Sequence, residues 1–311
     1  MSSIGVARLR SSVRGIILRV SRPGLFGRWR SADHSSLRVL TGPLPVLVVG
    51  AVMAVAQASG RAWDPIDAVQ YWQASSRLDH LYVYHWISAT DYASPPLIAQ
   101  LWAPLHVLPF EVVLVAWITF LFGCLWYATR AWALPIIALG LVGIGTGAPD
   151  ISAPLAIVLL GNVGMLMTAG VVATVRHPAA VAIPALTKVG PGAALGWHVF
   201  RRDWRAVAVG VTTCLLVFGV SFAISPSAWI DWVSWIARNY GSSPIPLLPI
   251  PFPIRLPVGV AIVAIAARSD RAWLVPIGAG LCIPADYGAG YLTVWVGSLG
   301  LLDRRGHPQL N

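Results

Sequence analysis

The chain has 311 residues, of which 57% are hydrophobic and only 11% are charged, and its mean hydropathy is +0.70. Because soluble globular domains carry about 25% charged residues, this composition excludes a soluble enzyme and equally a disordered or fibrous protein. The net charge of +10 is typical of the arginine-rich cytoplasmic segments of a membrane protein, so no nucleic-acid partner is expected. The fold class that follows is an all-α membrane protein.

Residues 1–38 form a basic N-terminal segment that contains eight arginines. A signal peptide is a poor interpretation, because the basic stretch is long and the apolar run after it lacks an early cleavage site. We expect a cytoplasmic tail that rests on anionic membrane lipids.

Ten apolar stretches follow the tail and predict a polytopic transmembrane domain over residues 39–302, with about ten helices. Several are too short to cross the hydrocarbon core unaided, so they need local thinning of the bilayer or burial within the bundle. Residues 303–311 are expected to form a second cytoplasmic tail. The stretches are 39–58, 95–109, 110–129, 132–147, 153–175, 179–200, 206–224, 256–267, 272–285 and 288–302.

The arginines set the expected orientation of these helices. Six arginines would face away from the cytoplasm, among them Arg130 and Arg176. This bias predicts a multi-pass protein with both termini in the cytoplasm, and the single lysine among 22 basic residues is typical of a bacterial genome rich in GC. Fifteen arginines fall in the four segments that would face the cytoplasm, which are 1–38, 201–205, 268–271 and 303–311.

Two polar segments interrupt the apolar pattern, and both fall outside the cytoplasm in this topology. The first, about 60–94, carries four of the chain's 12 acidic residues together with tyrosines and two histidines. The second, about 225–255, carries several tryptophans and ends in a proline-rich stretch that cannot be the interior of a helix. We therefore expect the active site on the extracytoplasmic side.

Asp67 is the candidate catalytic residue of the first polar segment. Pro65 suits the first turn of a helix, with Asp64 available as its N-cap. Asp67 and Tyr71 then share one helix face at i and i+4, and Trp63 suits a helix that lies at the membrane interface. A carboxylate in this position can act as a general base, although a solvated loop acid is the commoner role. Asp64 and Asp67 together could hold a divalent ion, but no metal or other cofactor is expected.

Lys188 is the only lysine and lies in the middle of an apolar stretch. An unpaired cation in hydrocarbon is unfavourable by roughly 3 kcal/mol or more. Lys188 is therefore expected either to contact an anion such as a substrate phosphate or to pair with a carboxylate or carbonyl groups of the protein. The sequence Gly190–Pro191–Gly192 beside it predicts a kinked or unwound helix. Asn162, another polar residue within a stretch, is interpreted as an interhelical hydrogen-bonding group.

Taken in order, these residues resemble glycosyltransferase family 87, the polyprenol-phosphate-mannose-dependent α-mannosyltransferases of the C-type membrane superfamily. The resemblance covers roughly residues 40–240, although the chain is short for the family and Asn162 stands where the family usually has glutamine. The motifs are Asp67–Ala68–x–x–Tyr71–x–x–Ala74, Leu81–Tyr82, Tyr92–x–x–Pro95–Pro96, Ala103–Pro104–Leu105, Leu108–Pro109, Gly161–Asn162–Val163, Lys188–x–x–Pro191, the basic turn 201–205, and Ser225–Pro226 with Trp229.

The resemblance implies a C-type glycosyltransferase-like fold and a reaction outside the cytoplasm. Asp67 would deprotonate the acceptor hydroxyl in a single inverting displacement, and the sugar, mannose in this family, would come from a polyprenyl phosphate. The implied partners are membrane lipids, this lipid-linked sugar donor, and a lipid or glycan acceptor. Lys188, His85 and Arg255 are candidates to stabilise the departing phosphate. The full set of expected substrate-binding residues is Asp64, Tyr71, His85, Tyr92, Lys188 and Arg255.

Two other functions fit the same sequence. A transporter or lipid-linked-sugar flippase would show related halves with discontinuous helices in corresponding positions, and the sequence shows no such pairing. A catalytically inactive partner of another glycosyltransferase is consistent with the shortness of the chain.

Overall fold

Helices account for all the regular secondary structure in the part of the chain that the computed structural model describes, which is residues 42–82, 92, 94–239, 250–284 and 290–305. The prediction of an all-α protein is therefore confirmed over these ranges. The expected basic tail, 1–38, lies outside them. The residues from Gly42 onward belong to one compact unit.

Proline and glycine mark the ends of many elements. Proline stands at the first position of α1, α3, α6 and α11, where its missing N–H breaks no helical hydrogen bond. The α-helices are α1 (Pro43–Ala58), α2 (Ile66–Ser75), α3 (Pro96–Trp102), α4 (Phe110–Thr129), α5 (Ala133–Thr146), α6 (Pro149–Leu159), α7 (Gly164–Thr174), α8 (Ala182–Lys188), α9 (Gly196–Phe200), α10 (Trp204–Ile224), α11 (Pro226–Asn239), α12 (Phe252–Arg268), α13 (Val275–Leu281), α14 (Gly290–Trp295) and α15 (Gly297–Arg305). Short 3₁₀ turns lie at Ala103–Val107, Arg130–Trp132, Pro178–Val181, Gly190–Leu195 and Ala272–Leu274.

Close packing of small residues brings these helices together. A Cβ atom at Gly50 of α1 would lie 2.7 Å from the Phe122 side chain of α4, so only glycine allows this contact. Gly259 of α12 and Gly278 of α13 likewise lie against each other's carbonyl groups. Helices in a bilayer gain little from the hydrophobic effect between them, so van der Waals contact at such positions supplies much of the packing energy.

Length and composition identify a few helices that could cross a membrane. Among the described residues these are Phe110–Thr146 and Trp204–Ile224, and a third if Ile151–Leu159 and Gly164–Thr174, bent by 106°, form one broken span. Shorter apolar helices of 10–17 residues are also present, as expected from stretches too short to cross unaided. These apolar helices indicate a membrane protein.

The stretch 95–109 does not form the separate span that the sequence predicted. It contains α3, whose seven residues extend only about 10 Å, followed by the 3₁₀ turn. This segment folds back on α2: the ring centroids of Trp72 and His106 are 3.8 Å apart, and Ser75 Oγ lies 2.7 Å from His106 Nε2. Trp72 also packs on Phe110. The first residue of α4 therefore lies at the same end of the protein as α2.

Because 95–109 folds back on α2, two arginines lie at the end of the protein opposite to the one predicted from the sequence. At the end opposite α2, a cluster of Ala128, Val172 and Leu301 packs with Val175 and Ala272. The same end contains the 2.8 Å hydrogen bond between His198 Nε2 and the carbonyl of Thr174 and the 2.7 Å ion pair between Arg201 and Asp270.

Arg130 directly follows α4 and Arg176 comes two residues after the end of α7, so both lie at this end with Arg201 and not opposite it as predicted from the sequence. Four arginines with described side chains lie at the α2 end: Arg61, Arg77, Arg238 and Arg255. Seven lie at the opposite end, which we call the basic end: Arg130, Arg176, Arg201, Arg202, Arg205, Arg268 and Arg271.

The new placement of Arg176 can be tested by labelling. In a variant whose native cysteines are replaced, we expect cysteine at position 176 to react with a membrane-impermeant maleimide from the same side as cysteine at position 201. Cysteine at position 77, beside α2, should react only from the other side. Labelling of positions 176 and 201 from opposite sides would contradict the arrangement.

Candidate active site

The link between α6 and α7 holds the start of α2 in place. The backbone N–H groups of Asp67 and Ala68 both donate to the carbonyl of Leu160, at 3.0 and 3.2 Å. The first N–H groups of a helix have no partner within the helix, so this carbonyl satisfies two of them. Gln57 donates from its amide to the carbonyls of Leu159 (2.6 Å) and Trp63 (2.9 Å). Three parts of the chain therefore meet beside Asp67.

Gly161 allows α2 to approach this link closely. Its φ angle is +76°, in the left-handed region that favours glycine. A Cβ atom on Gly161 would also lie 2.6 Å from the Cβ of Ala68. On its other side, its carbonyl accepts a 2.7 Å hydrogen bond from the indole of Trp117. Both the backbone angle and the contact with α2 therefore require glycine.

Asp67 is half-buried in the first turn of α2 and faces two polar side chains. Its carboxyl group is hydrogen-bonded to the side chain of Asn162 and lies within reach of the charge of Lys188. Burial raises the pKa of Asp67 above its usual value, while the Asn162 hydrogen bond and the positive charge of Lys188 oppose that rise. A carboxylate with a raised pKa, held among polar neighbours, has the properties of a general base.

Tyr71 and Tyr92 are buried and pack against each other. Tyr71 lies one turn after Asp67, is only 1% exposed, and its hydroxyl accepts the N–H of Val163 at 3.3 Å. The Tyr92 ring packs edge-on against Tyr71. The Tyr92 hydroxyl donates to the carbonyl of Pro95 (2.6 Å) and accepts the N–H of Ala99 (3.0 Å). Burial raises the pKa of both phenols, so both stay neutral. Both hydroxyls also form hydrogen bonds with backbone groups.

Lys188 ends α8 at the break that the sequence predicted. The next residue, Val189, has φ +55° and ψ −63°, which is a strained conformation for a β-branched side chain. The chain then continues as a 3₁₀ turn from Gly190, which packs directly against the carbonyl of Cys282. The prediction of an unwound helix beside Lys188 is confirmed, and Lys188 is the last residue before the break.

Arg255 supports the segment against which this break packs. It is 6% exposed, and its guanidinium donates to the carbonyls of Ile250 (2.8 Å) and Ile283 (3.0 Å). The same group lies over the ring of Tyr291, at 5.0 Å from its centroid. Much of its hydrogen-bonding capacity is thus directed at the protein backbone.

Asp64, another expected site residue, is placed differently from this group. Asp64 is exposed, and it does not cap α2, because the helix begins at Ile66 with Pro65 as the N-cap residue. His85 lies outside the described residues. Within the described ranges, no three or more His, Cys, Asp or Glu side chains come together in a group that could hold a metal ion.

Two residues that shape the site were not predicted from the sequence as parts of it. Asn162 was interpreted as a generic interhelical group, and the structure places its side chain on Asp67. Gln57 was not singled out, although a single polar residue in the last turn of an otherwise apolar helix indicates a specific hydrogen-bond partner. What was missing from the sequence was the partner of each amide.

Comparison with known protein families identifies a match over the second polar segment and the helices before and after it. The model of glycosyltransferase family 87 matches residues 92–283, more than half of the chain. The matched range includes Tyr92, Asn162, Lys188 and Arg255, and begins after Asp67. Searches of the curated proteins and of the solved structures found no match.

The tight contact at Gly161 predicts a difference between two glycines with similar backbone angles. Gly60 has φ +69° and open space where a Cβ would lie, whereas Gly161 has φ +76° and a contact with Ala68. Gly60→Ala should lower the free energy of unfolding by about 1–2 kcal/mol from backbone strain alone. Gly161→Ala should lower it by about 1–3 kcal/mol more, because the added methyl group is overpacked. Thermal unfolding in one detergent measures both, and equal losses would contradict the contact.

Proposed function

Because this chain belongs to glycosyltransferase family 87, we propose that it transfers mannose from a polyprenyl phosphate to a lipid or glycan acceptor. The reaction proceeds with inversion, on the extracytoplasmic face of a bacterial cell membrane. Membership of the family makes the chain a glycosyltransferase; the donor, sugar, acceptor and side of the membrane are our proposal. The observation that carries it is that the Asp67 carboxyl group, at the end opposite the basic end, is hydrogen-bonded to Asn162 and is under the influence of the Lys188 charge.

The proposed reaction is a single displacement at the anomeric carbon. Asp67 accepts the proton of the acceptor hydroxyl as its oxygen forms the new bond to that carbon. The bond between the carbon and the phosphate oxygen breaks, and its electron pair leaves with the phosphate. Attack opposite the leaving group inverts the configuration. Phosphate is an adequate leaving group, so the mechanism assigns no role to a metal ion.

Lys188 is the proposed partner of the departing phosphate. Its positive charge already acts on Asp67, so a phosphate that engages Lys188 lies close to the base. A fixed cation stabilises the negative charge that develops on the phosphate as the bond breaks. Arg255, Asp64, His85, Tyr71 and Tyr92 remain the other predicted substrate-binding residues, and Asp64 is the one exposed to solvent among those described.

The arginines support the proposed side of the reaction. Among described side chains, seven arginines lie at the basic end and four at the α2 end. Cytoplasmic ends of membrane proteins are enriched in arginine and lysine, so the α2 end is assigned to the outside. Nucleotide sugars are absent there, which accounts for a lipid-linked donor.

Loss of the proposed base should abolish transfer. Asp67→Asn keeps the size of the side chain but removes its basicity, and we expect mannose transfer from polyprenyl-phosphate-mannose to fall by about 10²- to 10⁴-fold. The matched control is Asp79→Asn, because the Asp79 side chain is 80% exposed and should leave the rate unchanged. Radiolabel transfer to a mixed lipid acceptor pool, at equal amounts of protein, measures both variants. Wild-type activity in Asp67→Asn would exclude Asp67 as the base.

Removal of the lysine charge should change both the rate and its pH dependence. Activity requires ionised Asp67 and is lost as the pH falls through its pKa. Lys188 lowers that pKa, so Lys188→Met should raise it and move the acid limb of the kcat/KM profile to higher pH. The maximal rate should fall roughly 10²-fold through loss of phosphate stabilisation. Arg77→Met, at an exposed position near α2, is the control, and an unshifted acid limb in Lys188→Met would contradict the coupling.

A further inference from the structure

Asn162 lies in the short link between α6 and α7, where the two helices meet at 106°. Its side-chain oxygen Oδ1 accepts the backbone N–H of Gly164 at 2.7 Å. Its side chain is also the hydrogen-bond partner of the Asp67 carboxyl group. A single amide therefore joins the first turn of α7 to the proposed base.

These two contacts determine which way the amide faces. A backbone N–H can only donate, so the group that faces Gly164 must be the oxygen of Asn162. The NH₂ group, Nδ2, is then directed at Asp67. An ionised carboxylate can only accept hydrogen bonds, so this contact matches the ionised form of Asp67, the form that accepts a proton.

The rest of the link places this amide in register with α2. Leu160 accepts the N–H groups of Asp67 and Ala68, Gly161 packs against Ala68, and the N–H of Val163 donates to Tyr71. Four consecutive residues of the link thus contact α2. Asn162 cannot shift along Asp67 without disturbing its neighbours on both sides.

We propose that Asn162 is a positioning residue, whose side-chain NH₂ group orients the Asp67 carboxylate and favours the form that accepts the proton of the acceptor hydroxyl. This inference rests on the proposed function, since it assigns Asn162 a part in the same reaction. It differs from a purely structural role, in which the side chain would only cap the start of α7.

The charges around Asp67 make this hydrogen bond consequential. Burial disfavours ionisation of Asp67. Two groups outside α2, the Asn162 amide and the Lys188 charge, favour ionisation and so counteract the effect of burial. Tyr71, on the same helix, also interacts with Asp67, and its own pKa is raised partly by the aspartate charge. Removal of the Asn162 donor would leave Lys188 as the principal group that favours the ionised base.

Asn162→Asp separates the two roles of the side chain. Aspartate keeps an oxygen for the N–H of Gly164 and is as good as asparagine at the start of a helix, but when ionised it cannot donate to Asp67. It also adds a like charge, which disfavours ionisation of Asp67. We expect the melting temperature to stay near that of wild type, kcat/KM at neutral pH to fall roughly tenfold or more, and the acid limb to move up by about one pH unit. An unchanged rate and pH profile would show that Asn162 is only a cap.

A second measurement keeps this inference separate from the proposed reaction. Infrared titration of the carboxyl bands of ¹³C-aspartate-labelled protein in nanodiscs can follow Asp67, with its band assigned by its loss in Asp67→Asn. Asn162→Ala should raise the pKa of Asp67 that is measured from this band. If wild type transfers no sugar, the proposed function fails while the titration still tests the Asn162 contact. Transfer by wild type together with an unchanged Asp67 titration in Asn162→Ala would overturn the positioning role alone.

Discussion

The carbonyl oxygen of Leu160 accepts two N–H groups from the first turn of α2, and the geometry of the candidate site depends on this contact. Without it, two donors at the start of a partly buried helix would lack partners, which is unfavourable in a bilayer protein. The contact also sets the register between α2 and the link after α6. Because Gly161 removes the side chain that would hold the two segments apart, Asn162 comes within hydrogen-bonding distance of Asp67.

The chemistry of the site then follows from a balance of opposing effects on one carboxyl group. Burial disfavours the charged form of Asp67, whereas the Asn162 hydrogen bond and the Lys188 charge favour it. A solvated aspartate would be a weak base, and an isolated buried one would stay protonated. In the proposed mechanism, this intermediate environment suits a base that must be ionised and still have an appreciable affinity for a proton.

The segment that folds back over α2 determines the arrangement of the rest of the chain. Since Trp72 packs on both His106 and Phe110, α4 begins beside α2 and not across the bundle from it. Arg130 and Arg176 consequently join Arg201 at the basic end. Among the arginines with described side chains, seven therefore lie at the basic end and four at the Asp67 end, which supports the proposal that the Asp67 end faces the outside.

The sequence alone determined the features that depend on composition and local pattern. Low charge and long apolar runs predicted an all-helical membrane protein, Gly190–Pro191–Gly192 predicted the break beside Lys188, and the order of short motifs predicted the family. It did not determine which polar groups interact, because Asp67, Asn162 and Lys188 are far apart in the chain. Each of them could also be explained by an ordinary structural role at its own position. It also misassigned 95–109, since hydropathy does not distinguish a span from a short apolar helix packed on a neighbour. The tertiary structure decided both, because each depends on long-range contacts: the hydrogen bonds to Leu160 and the stacking of Trp72 on His106.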